Sequence, residues 1–346
     1  MYYHDQITAT QLQYNMAVAS KPGRIRDIAK QIGLTELELV AAQCGEIQAR
    51  HLKASAQEIL LRVGELGSVM ALTRNNDCVH ERHGRYENIK AGEKSGIVLG
   101  PDIDLRLFFS TWGTVWAVED KGRKSLQFFD VYGHALHKVF CTEQTDQAAY
   151  DALVSAYAEP IGSYWPEIKT ATPKEDQTLT QAPAGLREHW LGLKDTHAFH
   201  SMLMQFNVSR LTALRDVGHD LAQPVANSTA ERMLEQAAAS GLSIMCFVSN
   251  AGIVQIHTGP IQQLRRTGPW FNVLDPSFNL HLNTEAITQS WVVNKPTVDG
   301  CVTSLECYSA QGELIVQFFG ARKPGQAELA EWRQLLESFC DSPLAA

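Results

Sequence analysis

Residues 125–129 read Ser125-Leu126-Gln127-Phe128-Phe129, and residues 304–308 read Ser304-Leu305-Glu306-Cys307-Tyr308. Both are short, β-prone runs bounded by turn-forming residues, and each sits at the same place in a longer match. Gly133 and Gly312 continue the pairing at the same spacing of 179 residues. Upstream the spacing is 175: Asn75 and Gly84 match Asn250 and Gly259, Pro101 matches Pro276, and Asp104-Leu105-Arg106-Leu107 matches Asn279-Leu280-His281-Leu282. A short loop insertion accounts for the drift. Two copies this long point to a duplicated unit and not to a solenoid of small repeats.

Each copy opens on helical periodicity and then changes to strand patterns. Ile25, Ile28, Ile32, Leu34, Leu37 and Leu39 recur at helical spacing across residues 24–44, with a break at Gly33. From Val69 onward the runs Val69–Thr73, Leu105–Phe109, Thr114–Val118 and Ser125–Val131 are β-rich and separated by Gly, Asn or Asp, and residues 147–158 turn helical again. In the second copy, helices are expected over about 195–216 and 228–240, followed by β-rich chain from Ser243 to Gly320. The fold class is α+β, two tandem repeats, each an antiparallel β-sheet packed with α-helices. Expected boundaries are 1–159, a linker at 160–185 rich in Pro, Thr, Gln and Ala, and 186–346. A ligand is expected in a cleft where the copies join.

The 346 residues suit two domains, and 45% hydrophobic content is enough for packed cores. A net charge of −8 argues against a broad basic face for nucleic acid. Residues 1–24 show no apolar signal core, and no run of eighteen apolar residues suggests a membrane span. The seven cysteines are scattered, with no C-x-x-C, as reduced thiols of a cytoplasmic protein would be. Nor is there a C-x-x-C-H, so any haem would be held without covalent attachment.

Three stretches carry chemistry. In Asp195-Thr196-His197-Ala198-Phe199-His200, Asp195 sits where an N-cap belongs, which puts His197 in the first helical turn and His200 on nearly the same face. A neutral imidazole there suits haem iron, although a surface histidine beside a cap reads the same way. A dispersed basic set, Arg106, Arg210, Lys295 and Arg322, could hold carboxylates; Arg106 is notable for lying between Leu105 and Leu107 in a strand. Residues 27–36 resemble a helix-turn-helix, but the following Glu36-Leu37-Glu38-Leu39 is acidic where a DNA-reading helix is basic or amide-rich. His80, Glu81, His83, His134 and His137 lack metal-site spacing.

These residues sit within longer motifs: Arg82-His83-Gly84-Arg85-Tyr86-Glu87-Asn88, Asp104-Leu105-Arg106-Leu107-Phe108, Gln127-Phe128-Phe129-Asp130, Ala135-Leu136-His137-Lys138-Val139, Thr142-Glu143-Gln144-Thr145-Asp146, Asp195-Thr196-His197, Ser290-Trp291-Val292, Lys295-Pro296-Thr297 and Val302-Thr303-Ser304-Leu305-Glu306. Together they resemble the cytoplasmic haem-utilisation proteins, the HemS/ChuS/ShuS/PhuS/HmuS family of hemin-degrading factors, over almost the whole chain. The resemblance implies non-covalent haem b as ligand or substrate, with His197 as axial iron ligand and Arg106 as a distal, catalytic arginine. It places Arg210, Lys295, Gln317 and Arg322 at the propionates and rim. Phe319 stands where some relatives have tyrosine. His200 is a second histidine, as in a haem-trafficking member, and suggests a change of ligand during transfer.

The implied activity is haem degradation of the haem-oxygenase kind, with an external electron donor, or delivery of haem to a separate haem oxygenase. An inner-membrane haem transporter is the implied source. A non-catalytic haem carrier or storage protein is the alternative, and a haem-responsive DNA-binding regulator using residues 24–44 is a third.

Overall fold

The computed structural model describes residues 3–170, 178–323 and 325–345. The chain forms two compact units. The first comprises 1–74, 81–172 and 250–255; the second comprises 75–80, 173–249 and 256–346. Each unit therefore takes a short segment from the other half of the sequence.

The first half of the chain runs α1 (His4–Ser20), α2 (Ile25–Ile32), α3 (Glu36–Ala41), β1 (Gln48–Leu52), α4 (Ala56–Val63), β2 (Gly67–Arg74), β3 (Cys78–Arg85), β4 (Lys90–Ala91), β5 (Ser95–Leu99), β6 (Asp104–Phe108), β7 (Trp112–Asp120), β8 (Arg123–Asp130), β9 (Ala135–Thr145) and α5 (Gln147–Tyr157). The second runs α6 (Leu186–Leu191), α7 (Ala198–Gln205), α8 (Arg210–Asp216), β10 (Ala222–Val225), α9 (Thr229–Ser240), β11 (Ile244–Ser249), β12 (Ile253–Gly259), β13 (Leu264–Thr267), β14 (Trp270–Leu274), β15 (Phe278–Asn283), β16 (Gln289–Thr297), β17 (Gly300–Tyr308), β18 (Leu314–Gly320) and α10 (Ala330–Glu337).

The strand order β1-β7-β8-β9-β2-β3 of the first unit reappears in the second as β10-β16-β17-β18-β11-β12. The meander β4-β5-β6 reappears as β13-β14-β15. Register repeats too: Gln127 lies opposite Lys138, and Glu306 opposite Gln317, in antiparallel pairs. The matched Gly133 and Gly312 both adopt positive φ, 83° and 78°, where a side chain would be strained.

Each sheet is covered on both faces, and central strands such as β8 and β17 are buried along most of their length. In the second unit, α9 presents Ala230, Met233, Leu234 and Ala237 along one stripe, and with Trp332 and Leu336 of α10 they bury Val292, Leu305, Cys307, Val316 and Phe318. Helices α6, α7 and α8 cover the other face over Trp291, Val293 and Tyr308. In the first unit, α4 and α5 pack on one face, with α3 on the other over Trp116, Val118 and Phe129.

The helix-turn-helix look-alike is a real helical pair, with Gly33 in the left-handed turn at φ 73° and Thr35 capping α3. However, Glu36, Leu37, Leu39, Val40 and Ala41 of α3 are all buried. A second helix packed this way has no face left to enter a DNA groove. The stretch expected as helix over 195–216 is two helices, because Asn207 turns left-handed at φ 48° and Ser209 caps α8.

The expected linker at 160–185 falls partly on 171–177, outside the described residues. Its described flanks are packed: Tyr164 stacks on His51 at 3.8 Å in the first unit, and Leu179 bridges to Val208 in the second. All seven cysteines are free thiols. Among the described residues no helix is long and apolar enough to cross a membrane.

The matched asparagines explain one part of the repeat. Asn75 donates to the carbonyls of Ser249 and Ile315 and accepts from the N–H groups of Asp77 and Cys78. Asn250 donates to the carbonyls of Arg74 and Leu136, the counterparts one repeat earlier, and accepts from Gly252 N–H. Asn75→Ala should lower unfolding free energy by about 2 kcal/mol in a urea titration, since these backbone groups lose a shared partner.

A second expectation concerns acid. His137 is buried between the Tyr86 hydroxyl (2.5 Å) and Thr73 Oγ1 (2.8 Å), and burial pushes its pKa down to about 3. Below its ordinary value near 6.5 the unfolded chain takes up a proton that the folded chain refuses, so stability falls as pH drops from about 6.5 toward 3. Denaturant midpoints measured across that range should fall in the wild type, and less steeply in His137→Gln.

Candidate haem-binding site

The functional residues read from the sequence divide between the units. Arg106 belongs to the first; His197, His200, Arg210, Lys295, Gln317, Phe319 and Arg322 belong to the second.

Arg106 is on the face of β6 opposite the buried Leu105 and Leu107, as strand alternation dictates. It is about one-third exposed, pairs with the Asp104 carboxylate two residues away and donates to the Leu105 carbonyl at 3.2 Å. Pairing on one face of its own strand accounts for its place between two leucines.

In the second unit, α7 begins at Ala198, with His197 in the cap position. The expectation that Asp195 caps this helix is corrected. Its carboxylate instead accepts from His197 N–H at 2.9 Å and lies 2.6 Å from His197 Nδ1. These two contacts pull the Asp195 pKa below its usual value, with a smaller contribution from Arg322. The His197 ring is 85% exposed, so with Nδ1 held by a carboxylate the Nε2 nitrogen faces outward. This is the arrangement in which a metal-ligating histidine is oriented by an outer carboxylate. His200, one turn on, is also exposed.

The segment before α7 is pinned to the β16–β17 turn, where Val298 N–H donates to the Lys194 carbonyl at 3.1 Å. Arg322 lies against the same turn, 3.4 Å from Asp299. Arg322 therefore braces the turn that carries the histidine segment.

Arg210, Lys295 and Gln317 converge on one side chain, Glu306, which is fully buried. Its Oε1 accepts from Arg210 Nη2 (2.6 Å), Lys295 Nζ (2.9 Å), Ser304 Oγ (3.0 Å) and Gln317 Nε2 (3.0 Å). Its Oε2 accepts from Arg210 Nε (2.8 Å) and the Tyr308 hydroxyl (2.5 Å). Burial alone would raise the Glu306 pKa, but the charges of Arg210 and then Lys295 outweigh it and hold the carboxyl well below the usual range. Burial brings Lys295 down to about 8 against the opposing pull of Glu306. Two cations against one anion leave the group with one net positive charge.

Phe199 joins this group to the histidines. It is buried on α7 against Trp190 (4.5 Å between ring centroids), and its ring lies 4.8 Å from the Arg210 guanidinium and 4.7 Å from Lys295 Nζ. Such cation–ring contacts suit desolvated charges. Beside them Phe319 packs edge-on to Phe247 at 4.9 Å, 5.9 Å from Lys295. Met245, Phe247, Gln317 and Phe319 are only half-buried, so α6–α8 leave this side of the sheet face partly open. A partly open aromatic floor edged by cations fits a flat, apolar ligand bearing carboxylates.

Glu306 lies in the motif at 302–306 with no role assigned to it from sequence. The available signal was a strand, Ser304–Tyr308, in which polar groups alternate with buried Leu305 and Cys307, read together with two cations that had no assigned counter-charge. Among the described residues no cluster of three or more His, Cys, Asp or Glu side chains could hold a bare metal ion.

Comparisons with known proteins identify the family of the chain. The haemin-degrading HemS.ChuX domain matches residues 33–157 and again 207–339. The hemin transport protein HmuS of Yersinia pestis is 38% identical over 340 residues, covering 96% of this chain and 98% of its own. The haem-binding protein PhuS of Pseudomonas aeruginosa is 43% identical, covering 96% of this chain and 99% of its own, with TM-scores of 0.92 for the apo form and 0.91 for the holo form. The haem-degrading enzyme ChuS of Escherichia coli O157:H7 is 33% identical with a TM-score of 0.88, again covering 96% and 99% of the two chains.

Removing one partner from a buried ion pair leaves the other charge uncompensated. Arg210→Met should therefore destabilise the protein by about 3 kcal/mol in a urea titration, far more than an exposed pair such as Arg62–Glu65 would.

Proposed function

Because the chain belongs to the haemin-degrading HemS.ChuX family, we propose that it binds haem in the cytoplasm, non-covalently, and either degrades it to release iron or delivers it to a haem oxygenase. The observation that carries the assignment of the ligand is His197: Nδ1 held by Asp195, Nε2 exposed, and a cation group linked to it through Phe199. His197 would supply the axial nitrogen. Arg210, Lys295, Gln317 and Arg322 would meet the propionates and rim, with Phe319 against the ring.

Haem supplies the redox chemistry when bound; the protein positions it and tunes its surroundings. Asp195 orients the His197 ring through Nδ1 and so leaves Nε2 for the ligand. Arg106 is assigned the catalytic role through its Asp-Leu-Arg motif. Degradation requires electrons from an external donor, and an inner-membrane transporter is the proposed source of haem. His200, exposed one turn from His197, favours delivery as the second reading, because it offers a neighbouring ligand as cargo leaves.

One equivalent of hemin added to wild-type protein should give a sharp Soret band that His197→Ala lacks. With catalase present to remove free peroxide, addition of NADPH and a reductase then separates the readings. Bleaching with release of iron marks a degrader, whereas a band that persists until a haem oxygenase is added marks a carrier. In a degrader, Arg106→Ala should keep the band and bleach more slowly. The same spectrum in wild type and His197→Ala would overturn the assignment of the ligand.

A further inference from the structure

Glu306 raises a question that haem binding leaves unanswered. The donors assigned to the propionates are already committed to a carboxylate of the protein itself. Arg210 spends Nε and Nη2 on it, Lys295 and Gln317 point at the same oxygen, and Ser304 and Tyr308 complete the set. A carboxylate offers about four lone-pair directions, so six donors oversupply it. Donor capacity remains for a second anion: Arg210 has further N–H groups, and Lys295 has three protons.

We infer that Glu306 is an internal carboxylate that holds the Arg210–Lys295–Gln317 group assembled in the ligand-free protein and competes with the carboxylates of an incoming porphyrin, making it a specificity-determining residue of the site. The inference rests on the haem-binding reading above. Three observations support it. Glu306 is wholly inside the protein, so its charge exists for its neighbours and not for solvent. Arg210, Lys295 and Gln317 come from three other elements, α8, β16 and β18, which no local hydrogen bond would gather. Gln317 and Phe319 beside it are half-buried, so the donors lie at the edge of an approachable face. Glu306 is a positioning residue: it acts on a ligand only through the cations they share.

Sharing has a direction. A porphyrin carboxylate reaching Arg210 and Lys295 gains less while Glu306 holds them, because their charge is partly cancelled and their best donors are occupied. If Glu306 becomes neutral, the Arg210 guanidinium, with a side chain 24% exposed, stays charged without its partner, and a ligand carboxylate supplies what was lost.

The test compares hemin, with two free carboxylates, and hemin dimethyl ester, with none, by Soret titration of the full-length protein. The ratio of the two dissociation constants measures what the carboxylates contribute. In Glu306→Gln the preference for free hemin over the diester should rise at least tenfold above wild type. Glu306→Asp keeps the charge but withdraws it by one methylene, so its preference should rise by less; this variant also carries the test if Glu306→Gln does not fold. Sodium acetate should raise the thermal midpoint of Glu306→Gln more than sodium chloride does at equal ionic strength, a rescue that a packing role would not produce. An unchanged or smaller preference in the variants overturns the inference. A wild-type protein with no His197-dependent Soret band would instead overturn the haem-binding reading itself.

Discussion

Glu306 has no exposed surface and still carries its charge, which is possible only because six donors converge on it from its own strand, both neighbouring strands and a covering helix. An ionised carboxylate without partners in such a place would cost several kcal/mol, and the chain would lose the charge or the fold. The requirement propagates outward. Arg210 must start α8, so Ser209 must cap it and Asn207 must end α7 before it. Lys295 must point to the same face as Glu306, which excludes a one-residue slip of β16 on β17. Phe199 must lie over both cations, and that places the start of α7, with His197 and His200, beside the group.

The first unit shows what the same frame does without this requirement. At the positions matching Glu306 and Gln317 it has Gln127 and Lys138, and where Arg210 starts α8, Glu36 starts α3 behind an equivalent cap. An ion pair again joins helix to strand, but from a different strand position: Lys138, which matches Gln317, donates to Glu36 at 2.5 Å, and burial of Glu36 is outweighed by the Lys138 charge. Arg26 and Arg74 lie near enough to lower Glu36 further, so this group is built around a helix-borne carboxylate where the second unit has a helix-borne arginine. Duplication preserved the scaffold, and substitution at a few facing positions gave the two copies different charged groups on the same face.

The scaffold was legible because strand registers leave their mark on sequence. Ser125, Leu126 and Gln127 face Phe140, Val139 and Lys138, and the counterparts 179 residues on keep the same pairings, so a linear match carries the sheet order with it. The break between α7 and α8 was also encoded, in an asparagine that adopts positive φ followed by a serine cap, but helical periodicity across 195–216 masked it. Asp195 reads from the sequence as the N-cap of α7, whereas His197 takes that position. Whether the Asp195 oxygen reaches the helix N–H groups or the histidine ring depends on a difference of about one residue in where the helix begins, which propensity does not resolve. Glu306 was hidden for a different reason. A charged residue in a strand usually faces solvent, and only tertiary placement of Arg210 and Lys295 turns it into a buried hub.

A site that is sometimes empty faces a problem that a permanent cofactor site does not. Cations buried deeply enough to hold a carboxylate firmly must have a counter-charge when the ligand is gone, because desolvated like charges such as Arg210 and Lys295 repel each other. Opening the site to water would screen them but would surrender the apolar floor around Phe247 and Phe319. Building the counter-charge into the sheet keeps the donors dry and oriented, and so lowers the reorganisation needed on binding. The same choice weakens the hold on the ligand, since Glu306 partly cancels the charge of Arg210 and Lys295 and occupies their best-placed donors. For a protein that has to give its ligand up, whether by degradation or by transfer, a carboxylate that stays behind provides a way for the cations to let go.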